Sequence, residues 1–95
     1  MITRIVQLKF NHDFSRNTFR KLYEERNPAT RGVPGCVEVK IMKDVNAPNI
    51  YYTVSKWSSN EALENYRSSE YFAETWPMVK STLAEKANAF TIEDL

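Results

Sequence analysis

Four segments of the chain alternate between apolar and polar residues with the period of two that is typical of β-strands. In the first of them Val6, Leu8 and Phe10 share one parity, and polar residues occupy most of the other. The pattern predicts strands near residues 2–10, 36–44, 50–57 and 87–93. Only the turn-rich sequence "DVNAPN" separates the second strand from the third, so these two are predicted to form an antiparallel hairpin.

After the sequence "NHD" the apolar residues change to helical spacing, which predicts a first helix. Ser15 is the predicted N-cap, because its hydroxyl can accept a hydrogen bond from a free backbone N–H of the first turn. Phe14 and Phe19 stand where a hydrophobic staple would place them. Pro28 disfavours helical dihedrals in the residue before it, so the helix is predicted to end at about Asn27.

A second helical region follows the third strand. Ser58 and Glu61 match a capping box, which predicts the start of a helix. The apolar periodicity pauses at Ser68 and Ser69 and then resumes on the same face, which indicates two consecutive helical pieces. Pro77 would cost about 3 kcal/mol in a regular helix interior, so a kink is predicted at this position.

The order strand, helix, strand, strand, helix, strand predicts an α+β domain of the ferredoxin-like βαββαβ type, with a four-stranded antiparallel sheet. A chain of 95 residues is short enough for one domain, residues 1–95. The helices of such a domain cover one face of the sheet, and Met42 lies on the other face in the predicted second strand. An open apolar face predicts self-association, here a homodimer through the sheet.

Composition excludes several kinds of partner and site. Thirteen Lys and Arg against twelve Asp and Glu give a formal charge of +1 without runs of like sign, so neither nucleic acid nor an anionic membrane is an expected partner. Cys36 has no second cysteine to pair with, and with His12 alone no zinc-ligand spacing exists, so no metal site is expected. The first ten residues are interrupted by Arg4, Gln7 and Lys9, which favours a cytoplasmic chain over a signal peptide or membrane helix.

Three stretches of the chain resemble a known family. The sequence "PGCVEVKI", the third strand ending in "KW", and the sequence "SSNEALENYRSSEYFAETWP" are similar to the antibiotic biosynthesis monooxygenase superfamily. The resemblance implies a dimeric α/β barrel, in which two protomers pack their sheets together and each holds a pocket between its own sheet and helices. Members include enzymes that add oxygen to aromatic quinols and polyketides without metal or flavin, and enzymes that degrade haem.

The same resemblance allows the pocket residues of the haem-degrading members to be compared with this sequence. Its members use an asparagine on the first strand, a tryptophan on the second helix and an iron-ligating histidine ten residues later. These positions correspond to Gln7, Tyr66 and Trp76 in this sequence. An indole nitrogen is only a hydrogen-bond donor and cannot ligate iron, so the sequence disfavours haem and no cofactor is expected.

The candidate site follows from the same correspondence. Tyr66 and Trp76 are the candidate catalytic residues, since each offers one hydrogen-bond donor and an aromatic ring, and Gln7, Phe72 and Arg67 are the candidate substrate-binding residues. Aromatic residues at helical spacing are more often core residues than site residues. The predicted function is cofactor-independent oxygenation of a small aromatic ligand. The alternative is a non-catalytic small-molecule-binding or stress-responsive dimeric α/β barrel protein.

Overall fold

Four strands and three helices make up the protein, and the computed structural model describes all residues, 1–95. In chain order they are β1 (Ile2–Lys9), α1 (Asp13–Arg31), β2 (Cys36–Lys43), β3 (Ile50–Trp57), α2 (Asn60–Arg67), α3 (Glu70–Lys80) and β4 (Asn88–Glu93). The strands form one antiparallel sheet in the order β2-β3-β1-β4. The predicted βαββαβ arrangement is therefore confirmed. None of the three helices is long and apolar enough to cross a membrane.

The two faces of the sheet have different surroundings. Successive side chains of a strand point to opposite faces, and Val6 and Leu8 of β1 belong to the side that packs against the helices. Ile5 therefore belongs to the other side, where it lies opposite Val54 of β3 and Phe90 of β4. This second face carries no helix and is called the open face below.

The hydrophobic core lies between the covered face of the sheet and the helices. Its buried cluster consists of Leu8, Phe10, Phe19, Tyr51 and Val79. The ring of Phe10 lies 5.3 Å from that of Phe19 and 5.5 Å from that of Tyr51, measured between centroids. Full burial of each such side chain contributes about 1.5–3 kcal/mol. This cluster anchors α1 and α3 to the middle of the sheet.

Helix α1 begins earlier than the sequence predicts. His12 is its N-cap, and His12 Nδ1 accepts a hydrogen bond from the backbone N–H of Ser15 at 3.2 Å. The predicted cap at Ser15 is wrong because a ring nitrogen of His12 is the acceptor at the start of this helix. The predicted staple is also absent: Phe14 is 76% exposed, whereas Phe19 is buried.

Helix α1 also continues through Pro28 to Arg31, beyond its predicted end. An interior proline removes its own N–H from the helix and crowds the preceding turn, but packing against α3 stabilises the turn that contains Pro28. Tyr71 of α3 donates a hydrogen bond to the Arg26 carbonyl at 2.9 Å, and its hydroxyl lies 2.8 Å from Thr30 Oγ1. A tertiary contact therefore outweighs the local preference of Pro28.

The cap of helix α2 lies one residue later than predicted. Ser59 Oγ accepts a hydrogen bond from the backbone N–H of Ala62 at 3.1 Å and caps the helix. Ser58, the predicted cap, instead donates its backbone N–H to the Gly35 carbonyl at 2.8 Å. This bond ties the end of β3 to the start of β2 and moves the cap to the next serine.

The pause between the two helical pieces is confirmed. Ser69 caps α3 by accepting a hydrogen bond from the backbone N–H of Phe72 at 3.1 Å. Pro77 lies inside α3, and the helix continues past it to Lys80. Its carbonyl accepts a hydrogen bond from Ser81 N at 3.1 Å, so the last turn is closed in spite of the missing proline N–H. Trp76 consequently has helical backbone dihedrals.

Candidate functional site

A cavity of about 130 Å³ lies between the covered face of the sheet and the three helices. Its walls are mostly hydrophobic and consist of Arg4, Val6, Leu8, Phe19, Leu22, Tyr23, Arg26, Asn27, Thr30, Val39, Thr53, Ser55, Trp57, Tyr66, Phe72, Thr75, Trp76 and Val79. An engineered apolar cavity of about 150 Å³ in another protein binds benzene. The size therefore suits a single aromatic ring.

A row of four aromatic side chains forms one wall of the cavity. The ring of Tyr66 stacks on Trp57 at 4.9 Å and meets Phe72 edge-on at 5.2 Å between centroids. Phe72 in turn stacks on Trp76 at 5.9 Å, with only 9° between the ring planes. Trp57 is buried and donates its indole N–H to Ser55 Oγ at 2.9 Å. The row is a fixed surface against which another aromatic ring can stack.

Tyr66 presents a free hydroxyl at this wall. The hydroxyl makes no hydrogen bond to another protein group. Burial, with a smaller contribution from Tyr71, raises the pKa of Tyr66 to about 12. The phenol therefore keeps its proton at neutral pH and acts as a hydrogen-bond donor, not as a general base.

Trp76 occupies the far end of the aromatic row. Its indole N–H makes no hydrogen bond within the protein, in contrast to that of Trp57. Trp76 also lines a neighbouring cavity, together with Lys80, Leu83 and residues 85–87. The indole thus lines both cavities and carries one hydrogen-bond donor that no protein group uses.

Arg4 places a positive charge in the cavity wall without a carboxylate to neutralise it. Arg4 Nη1 donates to Thr91 Oγ1 at 3.0 Å, and the guanidinium has no salt bridge. Burial and then the nearby charge of Arg67 lower the pKa of Arg4, although a guanidinium remains charged in proteins. The other arginine of the wall, Arg26, is paired with Glu74 at 3.3 Å. Arg4 is therefore the cavity's available cation.

Two further polar atoms of the wall are buried and unpaired. Asn27 Oδ1 on α1 and Thr75 Oγ1 on α3 have no hydrogen-bond partner. A buried polar atom without a partner costs about 1–3 kcal/mol. Both residues line the cavity, so its walls include two polar side chains whose oxygen atoms have no partner within the protein.

Two of the five predicted site residues lie outside the cavity. Gln7 points to the open face, where its Nε2 donates to Tyr52 Oη at 3.2 Å and its Oε1 accepts from Asn88 Nδ2 at 3.2 Å. Arg67 is exposed and pairs with Glu64 at 3.2 Å. Neither Gln7 nor Arg67 lines the cavity, and their role in substrate binding stays a prediction. The structure does bring the other three together in one wall.

Sequence reasoning missed Arg4, Asn27 and Thr75. Arg4 has the parity of Val6 and Leu8, so a charged residue on the apolar side of a strand was a usable signal. Thr75 lies among apolar residues at helical spacing, whereas the neighbours of Asn27 at that spacing are mostly polar. In neither case does the sequence show that the side chain lacks a partner.

The other two potentially reactive side chains, His12 and Cys36, do not line the cavity. His12 caps α1. Cys36 is half-buried at the start of β2, and burial raises the pKa of its thiol. No group of three or more His, Cys, Asp or Glu side chains is arranged to hold a metal ion.

Comparisons with known proteins agree with this architecture. The family model described as antibiotic biosynthesis monooxygenase matches residues 1–76. Comparison with curated proteins gives no match.

Solved structures share the fold over nearly the whole chain. A crystal structure of an antibiotic biosynthesis monooxygenase is 19% identical with a TM-score of 0.86, and the match covers 100% of this chain and 99% of that one. A conserved protein from Methanosarcina mazei Go1 is 17% identical with a TM-score of 0.90, covering 100% and 94%. Rv0793 from Mycobacterium tuberculosis is 17% identical with a TM-score of 0.86, covering 99% and 94%. At these identities the likeness shows the fold alone.

Proposed function

Because the chain belongs to the antibiotic biosynthesis monooxygenase family, we propose that it oxygenates a small, electron-rich phenol or quinol without a metal or an organic cofactor. The observation that carries this proposal is the aromatic row with an unengaged, protonated Tyr66 hydroxyl at a cavity the size of one ring. Stacking would orient the substrate, and the hydroxyl would stabilise negative charge on its oxygen.

The substrate itself supplies the electrons for this reaction. Its phenolate gives one electron to O₂, and the resulting superoxide recombines with a ring carbon to form a C–O bond. The hydroperoxide then loses water, which breaks the O–O bond and leaves a carbonyl. One oxygen atom enters the quinone product, and the other leaves as water with the hydrogens of the substrate hydroxyl and ring C–H. The ring is oxidised by four electrons, and O₂ is the only oxidant.

The protein's share is orientation and electrostatics. Tyr66 and Trp76 each line the cavity and carry one hydrogen-bond donor, and Phe72 packs between them, edge-on to Tyr66 and stacked on Trp76. Loss of one donor to a developing oxyanion typically costs about 3 kcal/mol, or roughly 100-fold in rate.

Oxygen uptake tests the proposal. Purified protein is supplied with hydroquinones, catechols and dihydroxynaphthalenes, and the rate of spontaneous autoxidation is subtracted. Tyr66→Phe and Trp76→Phe keep an aromatic ring and remove only the donor, so each should lower the rate on the order of 100-fold. Tyr52→Phe is the matched control, because it removes a hydroxyl from the open face. A wild-type protein that binds these compounds but takes up no oxygen would support the binding-protein alternative instead.

We also propose that the chain forms a homodimer through the open face, which would complete a dimeric α/β barrel. Val54, Ile5 and Phe90 form an apolar row across three adjacent strands of that face. Phe90, Ile92 and Met42 are 58%, 51% and 49% exposed. Neighbouring exposed apolar side chains of this kind typically mark an interaction surface.

Light scattering tests the dimer. Phe90→Glu places a charge in the apolar row and should shift the protein toward a monomer of 11.1 kDa. Phe14→Glu is the matched control, since Phe14 is 76% exposed on the helical side. Dissociation by both substitutions, or a monomeric wild type at micromolar concentration, would contradict the proposal.

A further inference from the structure

The cavity has unused polar groups on two opposite walls. Arg4 belongs to the sheet side, where its charge has no carboxylate partner. Asn27 and Thr75 belong to the helix side, where Asn27 Oδ1 and Thr75 Oγ1 are buried without a partner. Between these two walls the lining is mostly hydrophobic and aromatic. A ligand that satisfies both walls therefore needs an apolar ring with polar groups at its two ends.

We propose that Arg4 is the anion-binding group of the site and that Asn27 and Thr75 determine its specificity. The cavity then selects a single aromatic ring with oxygen substituents at opposite ends and binds it as the mono-anion. The inference rests on the proposed function for the identity of the ring as a phenol. It adds which residues hold the two ends and which protonation state is bound.

Charge pairing assigns the anionic end to Arg4 and not to Arg26. Both guanidinium groups line the cavity, but Glu74 already neutralises Arg26 at 3.3 Å. A guanidinium next to a phenol favours its ionised form. The other charges nearest Arg4 are Arg67, which adds to the positive potential, and Glu64, which opposes it. The ionised oxygen is also the form that gives an electron to O₂ in the proposed reaction.

The two unpaired atoms indicate that the other end of the ligand carries a hydroxyl group. Asn27 Oδ1 can only accept a hydrogen bond, whereas the Thr75 hydroxyl can donate or accept. A hydroxyl group of the ligand has both roles, so it can donate to Asn27 and it can accept from Thr75. A ring without this hydroxyl leaves both atoms unpaired, and a site built for a hydroxyl discriminates against such an analogue.

Binding measured under argon tests the inference without turnover. The probes are nitrohydroquinone, which has oxygens at both ends of one ring, and ortho-nitrophenol, which lacks the second hydroxyl. The phenolate form of each probe absorbs at a longer wavelength than its neutral form, so the absorption spectrum reports the bound protonation state. Wild-type protein should bind both as phenolates below their free pKa. Arg4→Met should weaken binding of both about 10- to 100-fold and abolish the ionisation, whereas Arg4→Lys should keep part of it. Arg20→Gln, on the exposed side of α1, is the matched charge control and should have no effect.

The second end is tested by selectivity. Asn27→Ala and Thr75→Val should each weaken nitrohydroquinone about fivefold, the effect of one neutral hydrogen bond, and leave ortho-nitrophenol unchanged. Equal losses for both probes would show a structural role and overturn the specificity assignment. Failure of wild-type protein to bind either probe, binding of the neutral forms, or full affinity in Arg4→Met would overturn the anion site. Absence of oxygen uptake together with phenolate binding would instead refute only the proposed function.

Discussion

The Tyr66 hydroxyl allows a quantitative test of the cavity by removal of a single oxygen atom in Tyr66→Phe. Burial raises its pKa from the ordinary value of 10.0 to about 12 in the folded protein. In the unfolded chain the phenol ionises first, so the unfolded state binds fewer protons than the folded state between these two values. The stability that the neutral phenol contributes is fully present below pH 10 and is lost as the pH rises toward 12.

The size of this effect follows from the shift. Two pKa units correspond to about 2.7 kcal/mol when the transition is complete, and to about 1.4 kcal/mol at about pH 11. Tyr66→Phe lacks the titrating group. Between about pH 8 and about pH 11 the wild type should therefore lose about 1.4 kcal/mol more of its unfolding free energy than the variant loses. The subtraction removes contributions common to both proteins, including that of Tyr23, whose pKa is also raised by burial.

Urea denaturation at the two pH values measures the free-energy difference, and ultraviolet absorbance of tyrosinate measures the titration directly. The difference between the wild-type and Tyr66→Phe titration curves isolates one phenol, which should ionise with a midpoint near 12. A midpoint near 10, or parallel loss of stability in both proteins, would show that water reaches the hydroxyl freely. Tyr66 would then not be a desolvated hydrogen-bond donor of the cavity.

Three further predictions concern the scaffold and the residues around the cavity. Gly35→Ala should destabilise the protein by about 3 kcal/mol in thermal unfolding, since Gly35 has φ +84° and an added Cβ would collide with Ala62. Gly32→Ala is the control, because an added Cβ there meets only ordinary contacts and should cost far less. Added haem should give no Soret shift with the wild-type protein, because an indole is not an iron ligand. A Soret shift that disappears in Trp76→Ala would contradict this prediction. Arg67→Gln should change nitrohydroquinone affinity by less than about threefold at physiological salt, since an exposed charge is screened; a loss as large as that for the cavity arginine would contradict the assignment.

The sequence by itself determined the elements and their order. Alternation along β1 and β3 and the turn-rich connector between β2 and β3 depend on neighbours within a few residues, and such local patterns are visible without a structure. The pause at Ser68 and Ser69 marked the break between α2 and α3 for the same reason. The cavity residues Tyr66, Phe72 and Trp76 were found through the family resemblance. Their spacing on two consecutive helices keeps them on one side.

Tertiary structure decided what depends on distant partners. Helix α1 passes through Pro28 because Tyr71, more than forty residues away, binds its last turns. Gln7 and Arg4 differ in role because the helices cover only the face of β1 to which Arg4 belongs. The unpaired state of Arg4, Asn27 and Thr75 could be read only after every neighbour was placed. A side chain's type and period are local properties, but whether its charge or hydrogen bonds are satisfied depends on residues that folding brings together.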